Sequence, residues 1–141
     1  MLPQPQIDNL ATQFLNGPLN GGAGADVRLF TNNVTPSAST VIGDLIEPTA
    51  TGYAPAGPHT DYYKTVDSDT GLTMLTQDNV ANFHFTDGDD LPIVCYGWFL
   101  VSDGGALAYA EKFANPRSVM IEGATLGVDV KVRFMNQLTL N

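Results

Sequence analysis

The chain has one cysteine, Cys95, in 141 residues. An intrachain disulfide is therefore impossible, and a small domain stapled by disulfides is excluded. Cys95 lies in the most apolar stretch, "IVCYGWFLV", where a thiol reads as buried and unreactive. Basic residues are scarce too: six Lys and Arg stand against fifteen Asp and Glu, a formal charge of −9. Such a surface repels phosphate backbones and has few cations with which to release counterions, which argues against nucleic acid as a partner. No apolar run approaches the roughly 20 residues of a membrane-spanning helix. The opening "MLPQPQIDNL" has neither a basic n-region nor a long apolar h-region, so the expectation is assembly in a cytoplasm without export by a secretory leader.

Residues that do chemistry are equally sparse. There are two histidines. His59 sits in "PAGPHTDYY", which reads as a loop, and His84 falls on the polar side of a strand. No spacing ties either to a nucleophile, and no nucleophile elbow is present. Cys and His do not cluster at zinc spacings, and "NGGAGAD" precedes a strand instead of opening a helix, so it is no phosphate loop. "DSDTG" brings Asp67 and Asp69 together as the best calcium candidate, but it lacks the later bidentate acid and flanking helices. A tight Asp/Gly turn accounts for it equally well, as it does for "DGDD" at 87–90. The residues thus predict a non-enzymatic protein with no cofactor and no metal.

What is abundant is punctuation: 14 Gly and 9 Pro break the chain into short pieces. In residues 1–25, Ile7, Leu10, Ala11, Phe14 and Leu15 follow the i, i+3, i+4, i+7, i+8 spacing of one helix face, ended by Gly17 and Pro18. A helix of about ten residues does not stand alone in water, so this face predicts a docking surface, with Ile7, Leu10, Phe14 and Leu15 as its contacts. "NGPLNGGAGA" follows as a hinge.

Residues 26–141 read as an all-β domain, a β-sandwich or jelly-roll-like fold of about eight short strands. "VRLFT" is the first. "NNVTPSAS" is turn and loop, "TVIGDLIEP" is either one helical turn capped by Thr40 or a short strand, and "ATGYAP" is a short extended piece. "DYYKTV", "LTMLT" and "VANFHFT" follow, the last with Ala81, Phe83 and Phe85 on one side and Asn82, His84 and Thr86 on the other. A DG-containing turn at 102–105 joins two apolar runs into a hairpin. Its first run is apolar on both faces, Val94, Tyr96, Trp98 and Leu100 against Ile93, Cys95, Phe99 and Val101, which predicts a central strand or one covered by a partner. "LGVDVKVRFMNQLTL" alternates through Leu126, Val128, Val130, Val132, Phe134, Leu138 and Leu140 and predicts one long strand, bent near Asn136. Tyr53, Tyr62, Tyr63 and Trp98 are the set from which a sugar-binding platform would be built, with packing as their competing use.

The segments "RLFTNNVTPSASTVIGDLIEPTATGYAP", "IVCYGWFLVSDGGALAYAEKFANP" and "LGVDVKVRF" resemble a family of small β-domain proteins encoded by tailed bacteriophages near their capsid genes. The resemblance runs from Asp26 to the end of the chain. It implies a capsid decoration, or cement, protein: a structural virion subunit added to the outer surface of the shell, bound to the major capsid protein, and a homotrimer at three-fold positions. A tail or fibre binding module, with carbohydrate as one candidate ligand, is the alternative, since small phage β-domains also serve there. In the family the domain starts close to its "LF-NN" strand; here about 25 residues precede it, so no docking site carries over.

Overall fold

The computed structural model describes residues 25–37, 39–59, 62–69, 71–78, 80–86, 91–102, 105–120 and 123–133. The expected first helix, with Ile7, Leu10, Phe14 and Leu15, and the acidic run at 87–90 lie outside these residues.

The described chain is almost wholly β, as its period-2 segments require. Its strands are β1 (Ala25–Phe30), β2 (Ala56–His59), β3 (Tyr63–Val66), β4 (Thr73–Thr76), β5 (Ala81–Phe85), β6 (Ile93–Ser102), β7 (Leu107–Val119), β8 (Ala124–Val128) and β9 (Lys131–Val132). They form a four-stranded sheet in the order β2-β1-β6-β7, a three-stranded sheet β3-β4-β9 and a pair β5-β8. Every pairing is antiparallel. The main core lies where the large sheet meets the two smaller ones: Val27, Leu29, Trp98, Leu100 and Tyr109 from the large sheet pack with Leu75, Phe83, Phe85, Leu126 and Val132. Each such side chain contributes roughly 1.5–3 kcal/mol when fully buried.

β6 is the central strand expected, held between β1 and β7. Its other face is covered from within the chain. Leu45 packs with Phe30, Phe99, Val101 and Ala110 in a second, smaller core, with Val34 and Tyr96 at its rim. The alternation along β6 differs from the simple one. Cys95, Trp98 and Leu100 belong to the main core, while Phe99 and Val101 belong to the second. The change of face falls where the ladder with β7 is irregular, Cys95 pairing with Arg117 but Gly97 with Lys112, so both strands depart from simple alternation at Tyr96. Bulges of this kind swap the faces of everything beyond them. Gly97 sits at this point for a steric reason: a Cβ would lie 2.3 Å from both the Glu111 carbonyl oxygen and the Phe30 ring.

Three further expectations change. "ATGYAP" is a turn, with the Tyr53 N–H donating to the Ala50 carbonyl at 3.2 Å and Gly52 at φ 91°. His59 is not in a loop; its backbone belongs to β2, paired with Ala25. Gly57 and Pro58 hide that strand from a propensity reading, yet both are tolerated at a sheet edge with an irregular register. The last strand is two: β8 pairs with β5 and β9 with β4, and the chain crosses between sheets at Asp129 and Val130. Its parity survives the crossing, since Leu126, Val128, Val130 and Val132 are all buried.

Candidate contact surface

The segment between β1 and β2 is an excursion closed by one side chain. Asn32 donates through Nδ2 to the Asp44 carbonyl at 2.8 Å and accepts the Ile46 N–H at Oδ1, 2.9 Å away. Next to it the Thr31 N–H donates to the Ile46 carbonyl at 2.7 Å. Fourteen residues separate Asn32 from Ile46, the size of a compact Ω-loop whose ends meet. A single 3-10 turn, Ile42–Asp44, forms the tip, and the Val41 N–H donates to Asp44 Oδ2 at 3.0 Å. Thr40 does not cap this turn; its Oγ1 accepts the Ser37 N–H at 2.8 Å and closes the preceding bend instead.

Leu45 anchors the loop inward, so its other apolar residues point away. Val41 is 59 % exposed, Ile42 37 % and Ile46 57 %. Three large apolar side chains are thus left in water within six residues of a well-bonded loop. A second network holds the loop's return to the sheet. Glu47 accepts from Arg28 Nη1 at 3.2 Å and from the Tyr53 hydroxyl at 2.8 Å, and that hydroxyl accepts the Leu29 N–H at 3.1 Å. Burial pushes the Tyr53 hydroxyl well above the ordinary tyrosine range, and the hydrogen bond to Glu47 pushes it the same way.

The other candidates are dispersed. Asp67 is a turn residue: Oδ1 accepts the Asp69 N–H at 3.0 Å, and Oδ2 lies 3.5 Å from Arg133 Nε. His84 is exposed on β5, its Nδ1 2.9 Å from Thr125 Oγ1. The aromatic set builds no exposed platform, because Trp98 and Tyr62 are buried and Tyr53 stacks on Phe83 and Phe85; Tyr63 alone is exposed. Cys95 is buried, and desolvation pushes its thiol up to about 11. Among the described residues no three His, Cys, Asp or Glu gather as metal ligands would.

One polar cluster escaped the sequence reading. Glu111 accepts from Trp98 Nε1, the Tyr109 hydroxyl and Arg133 Nη1 at 3.3, 3.0 and 3.2 Å. It borders a cleft of about 330 Å³ that Phe113, Arg117, Asp129 and Arg133 also line. Arg117 lies with its guanidinium carbon 4.3 Å from the Phe113 ring centroid. The exposed apolar loop tip also went unrecognised, although "TVIGDLIEP" carries its signal: aliphatic residues interleaved with Gly and Pro at no single period. Comparison of the chain with family models, curated proteins and solved structures finds no match.

Proposed function

We propose that the protein is a structural subunit that decorates the outside of a bacteriophage capsid, docking on the major capsid protein through the loop at 32–46. The carrying observation is the triplet Val41, Ile42 and Ile46, exposed on a loop that Asn32 closes. A preformed loop loses little conformational freedom on docking, so modest apolar area translates into binding. The resemblance to small phage β-domains and the −9 charge, suited to a surface remote from packaged DNA, support the same reading. In this reading three copies assemble at a three-fold site, where the first contact raises the effective concentration of the others. Ile7, Leu10, Phe14 and Leu15 supply a second contact.

The test mixes purified protein with undecorated capsids and follows co-sedimentation and thermal release of DNA. The expected result is binding, with release displaced to higher temperature, because a ligand of the intact lattice stabilises it by roughly RT ln(1 + [L]/Kd) per site. The Val41→Asp, Ile42→Asp, Ile46→Asp triple variant keeps its fold and loses binding. Protein left in the supernatant at micromolar concentration, or found only on tails, overturns the proposal in favour of a fibre or sugar-binding module.

A further inference from the structure

β7 and β8 follow each other through residues 120–123, yet they make no ladder together. Among the described residues β7 is the last strand of its sheet, and β8 pairs on one side only, with β5. Between them lies a depression of about 430 Å³ lined by Arg117, Ser118, Val119 and Met120 from one side and by Ala124, Thr125, Leu126 and Gly127 from the other. A hollow on the face of a sheet touches alternate residues, whereas one along an edge touches consecutive residues. This one touches consecutive residues on both sides, so it is a slot between two strand edges. Arg117 reaches across from one side and donates through Nη1 to the Gly127 carbonyl on the other at 2.6 Å, so an entering strand takes this acceptor over from Arg117. Edges that have no strand partner among the described residues are templates for an added strand.

We infer that the slot is the docking site of residues 134–141 of the same chain, which enter it as a strand between β7 and β8. The described chain reaches Arg133 beside it: Arg133 lines the adjoining cleft together with Arg117 and Gly127, residues that also border the slot. Eight further residues extend to about 26 Å, more than the roughly 17 Å of a five-residue strand such as β8. The pattern fits as well. Phe134, Leu138 and Leu140 share one parity, suited to the side where Val119 and Leu126 are buried, while Met135, Gln137 and Thr139 share the parity of the side where Ser118, Met120 and Thr125 are exposed. Strand addition of this sort draws its affinity from main-chain hydrogen bonds and its register from alternate side chains. It would join the large sheet to the β5-β8 pair.

Hydrogen exchange on the full chain tests this. Amides at 117–119 and 124–127 that face the slot exchange at least about tenfold more slowly in the full chain than in a chain ending at Arg133, and the synthetic peptide 134–141 restores protection. Should the shortened chain not fold, the full-length Thr139→Pro and Leu138→Asp variants carry the test, with the same loss of protection confined to these amides. Equal exchange in all forms overturns the inference. A Thr125→Cys chain carrying Gln137→Cys or Thr139→Cys is then oxidised: the expected crosslink lies within one chain. Crosslinks found only in dimers overturn the assignment to the same chain and give the slot to a second copy.

Discussion

Trp98 and Glu111 face each other across the β6–β7 ladder as a registered pair, and the indole Nε1 donates to the carboxylate at 3.3 Å. Trp98 is the single tryptophan and is buried, so the chain's tryptophan emission reports this one neighbourhood, the Glu111 contact and the Tyr109 ring included. Glu111→Ala takes the acceptor from the indole N–H, while the Tyr109 hydroxyl is left with the Arg133 carbonyl at 3.5 Å and Arg133 with Asp67. The expected cost is about 2–4 kcal/mol, with a shift in tryptophan emission before global unfolding, checked by denaturant titration.

Gly97→Ala forces a methyl into the Glu111 carbonyl and the Phe30 ring. One contact is backbone and cannot rotate away, so overpacking of about 1–3 kcal/mol or more follows. Calorimetry reads this as a melting temperature lower by several degrees. A variant melting with the wild type would mean that the bulge at β6 gives way.

Asn32→Ala removes both bonds that close the loop. The global stability falls by about 1–2 kcal/mol. The Ile46 amide, protected by Asn32 Oδ1, exchanges much faster, while amides of the β1–β6 ladder hold. Uniform loss of protection would show that the loop and the sheet open as one unit.

Burial raises the hydroxyls of Tyr62 and Tyr109 above the ordinary range. The unfolded chain ionises these groups near pH 10 and the folded one does not, so the folded state keeps more protons. Their contribution is complete below about pH 10 and is lost as pH rises beyond it, by roughly 1.4 kcal/mol per pH unit for each group. Cys95, pushed up to about 11, adds loss between pH 9 and 11. Urea midpoints measured from pH 8 to 11 should fall steeply over the last unit. A flat profile would contradict the burial of these side chains.

The sequence made the strands legible wherever one face is wet and one dry. Ala81, Phe83 and Phe85 are buried and Asn82 and His84 exposed, as their alternation requires. It concealed whatever depends on a distant neighbour. Nothing local in "IVCYGWFL" announces the irregular register between Cys95 and Gly97, beyond which the faces of β6 are exchanged. β2 was illegible because its pairing with β1, and not the propensity of Ala, Gly, Pro and His, makes it a strand. The loop at 32–46 was legible only as irregular: Leu45 and Ile46 are equally apolar neighbours, and tertiary packing alone decides that one is buried and the other 57 % exposed.

The pairing of β1 with β6 also sets an order of events during synthesis. Ala25 pairs with Ser102 and Phe30 with Gly97. At about 5–20 residues per second, the nascent chain waits several seconds between making β1 and making its main partner. In that interval Val27, Leu29 and Phe30, later wholly buried, have at most the short β2 beside them. Such distant pairings also slow closure of the chain, since the loop must be ordered before its contacts form. The early emergence of an apolar strand whose mate comes late makes the unfinished chain the form most exposed to aggregation, and its yield in the cell should rise when translation through residues 31–96 is fast.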